Sequence, residues 1–131
     1  MRLFPEKLSW SFRRERIGRR CQLGTWRDKV AAGFTNSGSK SGDKLNSLVS
    51  LAVFAAQHHM HWVNLGLMPG WNTSTASEHD LNRLGVWLGA TAQSHGDEGP
   101  EKVHKADLLT ATHLGKRVTE HAHLLRRARA A

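Results

Sequence analysis

The sequence predicts an α/β fold built on parallel strands. Two observations carry this. A short apolar run, KVAAGFT (29–35), ends in turn chemistry and is followed at once by a helix-period segment, Asp43 to His58. A second short run, MHWVNLG (60–66), comes straight after that helix. Strand, loop, helix and strand in this order make a right-handed crossover between parallel strands. A long periodic segment closes the chain, so the whole reads as βαβ plus a C-terminal helix.

The first strand is read at 29–35 because a short apolar run bounded by turn residues is how a strand buried on both faces looks. The loop NSGSKSGD follows it. In the next segment Leu45, Leu48, Val49, Ala52, Val53 and Ala56 recur at three- and four-residue steps, which makes a helix with a wide apolar face. Ser41 or Asp43 is placed to cap its first turn with a side-chain oxygen. The second strand, 60–66, is stopped by Pro69-Gly70. Residues 67–105 are mostly turn-formers, with one short helical stretch at Glu78–Leu84, and a loop of that length is either functional or misassigned. The closing helix spans 106–127. Leu108, Ala111, Leu114, Val118, Ala122 and Leu125 form its stripe, Asp107 stands near its start, and Arg126, Arg127 and Arg129 suit its C-terminal dipole. Two parallel strands do not suffice for a stable sheet, so either the first 28 residues add strands or the chain is part of a larger α/β domain.

Composition bounds the partners. The net charge of +8 is concentrated at the front: residues 1–29 carry nine Lys/Arg and three acidic residues, while the other 102 carry ten and eight. The basicity therefore belongs to a leader, residues 1–24, and not to the domain at 25–131. Nucleic-acid binding would rest on that leader alone and is the least favoured class. Trp62, Trp71 and Trp87 have no basic residues interleaved with them and read as core or oligomer contacts, not base-stacking platforms. No stretch approaches the roughly 18 apolar residues of a membrane span. A single cysteine, Cys21, excludes an internal disulfide. His58, His59 and His61 in HHMH lack a nearby carboxylate or cysteine in sequence, so no metal site is assigned.

The loop after Thr35 lies at the C-terminal edge of the sheet, where open α/β folds bind ligands. Its backbone N–H groups, with those of the following helix, can cradle an anion or a polar ring edge. Gly38 and Gly42 allow positive φ and close backbone approach.

Several segments, in order, resemble one family. They are the K-V-A-x-x-F-T-x-S start at Lys29, the S-G-D-K-L helix start, Q-H-x-M before the second strand, DLNRLGVWLGATAQS and DLLTATHLGKRVTE. From about Thr25 to Leu125 the chain is similar to the C-terminal half of flavodoxin-like NAD(P)H-dependent FMN oxidoreductases of the tryptophan-repressor-binding-protein quinone reductase type. The resemblance implies a flavodoxin-like three-layer parallel fold, truncated. It implies FMN as cofactor, NAD(P)H as reductant, a quinone-like acceptor, a homo-oligomer and a cytoplasmic location. Carried over by position, it places Asn36, Ser37, Gly38, Ser39, Lys40 and Ser41 around the isoalloxazine ring, with Gln57 approaching it. Lys40 and Ser41 stand where relatives often have Gly, and His59 where they have Gly. Trp26 stands too near Lys29 to take the role of the family tryptophan. The phosphate-binding first loop of the family has no counterpart in residues 1–24. A second reading, a non-enzymatic truncated remnant with a basic N-terminal arm, follows from that difference.

Overall fold

The computed structural model describes Arg19 and residues 23–131. The basic leader therefore lies almost wholly outside the described residues. The elements, in order, are β1 (Val30–Ala31), β2 (Phe34–Ser37), α1 (Lys44–Gln57), β3 (His61–Trp62), β4 (Ala90–Gln93), a 3-10 turn (Pro100–Lys102) and α2 (Lys105–Ala130). β1 pairs with β3 and β2 with β4, both parallel.

These two pairs form one line. The carbonyls of Lys29, Ala31, Gly33 and Ser37 accept from the N–H groups of His61 (2.8 Å), Val63 (2.8 Å), Ala90 (3.1 Å) and Ser94 (3.4 Å). All four acceptors are odd-numbered, so they point to the same edge of a single strand running from Lys29 to Ser37. Its partner strand is broken: β3 covers the first half, and β4 resumes the line after an excursion through 64–89. Trp62 ties the two pieces together by donating its indole N–H to Leu88 O at 2.9 Å.

β4 was not foreseen. Its four residues, ATAQ, are small or polar, show no β-branched run and alternate only between Ala and Thr or Gln, too short and too weakly apolar a pattern to mark a strand. What admits it is close backbone approach. A Cβ on Gly89 would lie 2.2 Å from Gly33 O, and one on Gly33 would lie 2.8 Å from Trp62. The short helix read at Glu78–Leu84 is instead a series of turns. They are organised by Asn82, a buried residue at φ 52. Its Oδ1 accepts from Val86 N (3.1 Å), its Nδ2 donates to Leu67 O (3.3 Å), and its own N–H donates to Thr110 Oγ1 (2.9 Å). An asparagine tolerates the left-handed backbone while its amide closes the loop on both sides.

Leu65, Ala90 and Leu114 form the core, with Ala32, Leu67 and Val118 packed against it. α1 lies on one face of the strand, since a Cβ on Gly33 would meet Leu48 and Leu51. α2 lies on the other, through Leu114 and Val118 against Ala32. The apolar stripes are only partly covered. α1 buries Leu48 and Ala55 but leaves Leu45 58% and Val53 53% exposed. On α2 the buried positions are Ala106, Asp107, Thr110 and Leu114, so Leu108, read as part of the stripe, points outward. The strand predicted to be buried on both faces has Phe34 77% exposed, and among the described residues only one of its edges is paired. Among the described residues no helix is long and apolar enough to cross a membrane.

Candidate functional site

The loop at 36–41 joins the end of β2 to the start of α1, and it sits beside the end of β4. Asn36 Nδ2 donates to Ser94 Oγ at 2.6 Å, and Gln93 Nε2 donates to Gly38 O at 3.0 Å. The loop is thus braced laterally by the second half of the broken strand.

Its interior is held by Lys44. This side chain is buried, 2% exposed, and folds back under the loop. Its ammonium donates to Ser37 Oγ at 2.6 Å, to Lys40 O at 3.0 Å and to Ser39 O. Ser37 Oγ donates in turn to Ser39 O at 3.1 Å. The Ser41 carbonyl accepts from Lys44 N at 3.1 Å. Every carbonyl from Gly38 to Ser41 is therefore taken. The N–H groups of Gly38, Ser39, Lys40 and Ser41, by contrast, have no acceptor among the described residues. The loop is a row of four donors whose matching acceptors are turned inward and satisfied.

Two sequence expectations are corrected here. Neither Ser41 nor Asp43 caps α1 with its side chain: Asp43 is the N-cap residue, at φ 53, and makes no side-chain cap bond. A left-handed N-cap aims the carboxylate away from the first-turn N–H groups, and the tight turn through Gly42 forces that backbone. Gly38 does not use positive φ, whereas Gly42 does, at φ 50. A Cβ on Gly42 would stand 2.0 Å from Ser37 Oγ, so the glycine is required by the same hydroxyl that Lys44 engages.

Burial pushes the Lys44 ammonium below the usual lysine value of 10.5; Asp107 opposes that shift and Arg83 adds to it. Between the lowered value and 10.5 the unfolded chain holds more proton than the folded one. Stability attributable to Lys44 therefore rises with pH across that window. In Lys44→Met this rise is expected to vanish. The freed carbonyls of Ser39 and Lys40 should also loosen the loop, a change that lower NMR order parameters at amides 38–41 read directly.

The remaining candidate, Gln57, is the last residue of α1, while the loop adjoins its first. Fourteen helical residues separate the two ends by roughly 20 Å, so this chain does not bring Gln57 to the loop. HHMH splits as well. His58 is buried against Trp26 and Phe54, with ring centroids 4.7 and 4.4 Å away, His59 is at φ 60, and His61 Nε2 lies 3.7 Å from Asp28.

A cleft of about 330 Å³ borders the loop, lined by Lys40, Ser41, Lys44, Leu45, Trp71, Arg83, Leu84 and Val86. Lys40 Nζ stands 5.4 Å from the Trp71 ring centroid, within cation–π range. A larger cleft of about 600 Å³ lies on the excursion, between Leu45, Asn64, Leu67, Met68 and Trp87, and includes no residue of 36–41. The smaller one is the better site because charge, an aromatic face and the donor row meet there. Sequence reasoning missed Trp71, Arg83 and Lys44 as neighbours of the loop. Trp71 follows Pro69-Gly70 and carried no periodic signal, and Lys44 occupies an ordinary helix position.

No family model matches the chain. Among curated proteins it is similar to Flavodoxin FldP of Pseudomonas aeruginosa (strain UCBPP-PA14), 40% identical over 111 residues. The match takes in 83% of this chain and 60% of the relative, so the chain spans about three fifths of that protein's length.

Proposed function

On this flavodoxin-like fold, parallel and α/β, we propose that residues 36–41 hold the pyrimidine edge of FMN. The observation that carries this is the donor row: four consecutive N–H groups without an acceptor among the described residues, on a loop whose carbonyls are all engaged. The polar edge of an isoalloxazine ring is mostly acceptors, two carbonyl oxygens with N1 and N5, beside the single N3–H donor. A loop that offered carbonyls as readily as N–H groups would not select it. Asn36 and Ser37 set the exit angle of the loop, through Ser94 and Lys44. Lys40 and Trp71 offer a cation and an aromatic face in the adjoining cleft.

FMN, when bound, supplies the redox chemistry. The chain's residues supply position and electrostatics. The N–H row and the Lys40 ammonium favour negative charge on the ring edge, and they do so without reorganising, because Lys44 fixes the loop beforehand. The finer reading, an NAD(P)H-dependent quinone oxidoreductase, rests on the motif resemblance from about Thr25 to Leu125. The name of the relative favours a second reading, a flavodoxin that carries electrons between partners.

Titration of FMN with the purified chain tests the first claim, with quenching of flavin fluorescence expected at micromolar protein. Addition of NADPH and a benzoquinone then separates the two readings. Catalytic NADPH consumption supports the reductase; bound flavin with no consumption supports the carrier. A flavin that stays fully fluorescent at millimolar protein excludes both.

A further inference from the structure

We propose that the end of the molecule opposite the 36–41 loop is a docking surface for an anionic lipid bilayer, and that a cationic cleft at its centre takes a lipid phosphate. The inference rests on charge, burial and chain placement and does not depend on the flavin reading.

Several cations of the domain are spent on the fold. Lys44 is tied under the loop, Arg83 to Asp107, and Arg117 to Asn64 O at 3.2 Å. At the far end the cations are not spent. Arg27, Lys29, Arg126 and Arg127 are exposed, and none of their side chains has a hydrogen-bond or ion-pair partner among the described residues. Nineteen helical steps put Arg126 roughly 28 Å from Asp107, which stands beside the loop end of β4.

A cleft of about 420 Å³ lies among them. Asp28, Lys29 and Val30 line it from the start of the strand, and Ala122, Leu125, Arg126 and Arg129 from α2. Those four α2 positions are spaced i, i+3, i+4 and i+7, so they share one face of the helix. Arg129 donates to the Asp28 carbonyl and locks the two stretches together. The Asp28 carboxylate lies 3.7 Å from His61 and pairs with none of the cations of the cleft. The dipole of α2 accounts for cations at its C-terminus. It does not account for Arg27 and Lys29, which stand at the start of a strand, where the net dipole is small. Like charges held around one cleft repel, and an external anion relieves the repulsion.

The apolar floor selects the kind of anion. Free phosphate would satisfy the cations but leave Val30, Ala122 and Leu125 wet. A lipid headgroup sets its phosphate among the cations and its glycerol and first methylenes against that floor. Leu23, 69% exposed in the turns before Arg27, adds an apolar side chain at the same end. Residues 1–24 lead into this end. They carry seven Lys/Arg and two Glu, together with Leu3, Phe4, Leu8, Trp10, Phe12 and Ile17. Cations mixed with apolar side chains favour an anionic lipid interface. A nucleic acid fits less well, because no aromatic face lines the cleft to stack a base.

Sedimentation of the full chain with lipid vesicles tests the proposal. Phosphatidylcholine vesicles with about 30 mol% phosphatidylserine are expected to pellet the chain at low salt. Vesicles of phosphatidylcholine alone are expected to leave it in solution, and about 0.5 M salt to release it. Lys29→Gln with Arg126→Gln is expected to weaken vesicle binding by roughly thirtyfold. Both side chains are exposed, so this variant should keep the circular dichroism of the parent. Lys102→Gln with Lys105→Gln removes the same charge from exposed positions at the loop end of α2 and should bind as the parent does. Equal losses in the two double variants, or none in the first, overturn the docking surface. So does a chain that ignores phosphatidylserine vesicles, or one that leaves them for a DNA duplex or for inorganic phosphate at constant ionic strength.

Discussion

Asp107→Ala is expected to destabilise the protein by about 3–5 kcal/mol, the range for removing one partner of a buried ion pair. Asp107 and Arg83 are almost wholly buried, with side-chain exposures of 2% and 6%. Arg83 Nε and Nη2 donate to the two carboxylate oxygens at 2.7 and 2.8 Å. Oδ2 also accepts the backbone N–H of Gln93 at 3.0 Å. One side chain therefore joins the excursion, the second half of the broken strand and α2. Truncation strands a guanidinium in the interior and orphans a strand N–H. Urea denaturation reads the loss as a lower midpoint. Arg83→Met with Asp107→Leu should recover much of it, because two apolar groups of similar size leave no charge unpaired. A single-variant loss below about 1 kcal/mol, the scale of an exposed pair, would contradict this role. Gln93 also braces Gly38, so the same variant should loosen the loop.

Gly42→Val should damage the site more than any other change in the loop. The position has φ 50, and a Cβ there would meet Ser37 Oγ at 2.0 Å. A left-handed backbone costs a side-chain-bearing residue about 1–2 kcal/mol, and the clash expels the hydroxyl that links Lys44 to Ser39. With the carbonyls released, the donor row loses its fixed direction. If two N–H bonds to the ring are lost, at about 1 kcal/mol each, FMN affinity falls by roughly thirtyfold. Gly38→Ala separates the causes. Gly38 has no positive φ, and its Cβ would find only Ser94 O at 3.6 Å, an ordinary contact. The fold should be unchanged, while a ring lying against Gly38 would bind more weakly. Equal FMN affinity in Gly42→Val and the parent would remove the loop from the site.

The parts of this fold that sequence discloses are those with a period. Leu45, Leu48, Val49 and Ala52 announce α1, and the periodic run at 106–127 announces α2, which spans Lys105–Ala130. The strand–loop–helix–strand order, and with it the place of the 36–41 loop, follows from them. Elements defined by tight backbone approach are not disclosed that way. β4 is made of Ala, Thr, Ala and Gln, and only Gly33 and Gly89, meeting backbone to backbone, reveal why it lies there. Asp107 is a typical first-turn acid by sequence, and nothing local says that Arg83, 24 positions earlier, will reach it. Lys44 is the same kind of case. By sequence it is one more helix lysine, yet it folds under the loop and turns an ordinary connection into a donor row. Exposed edges are equally silent, since Phe34 reads as a buried strand residue until its neighbours are counted.

The central claim is that amides 38–41 are the groups that meet the ring. Proton–nitrogen correlation spectra of the labelled chain, recorded while FMN is added, test it most directly. Saturable shifts at Gly38, Ser39, Lys40 and Ser41, with the far end of α1 at Gln57 unmoved, are the predicted result. Shifts confined to the Trp87 cleft, or none anywhere, would contradict it.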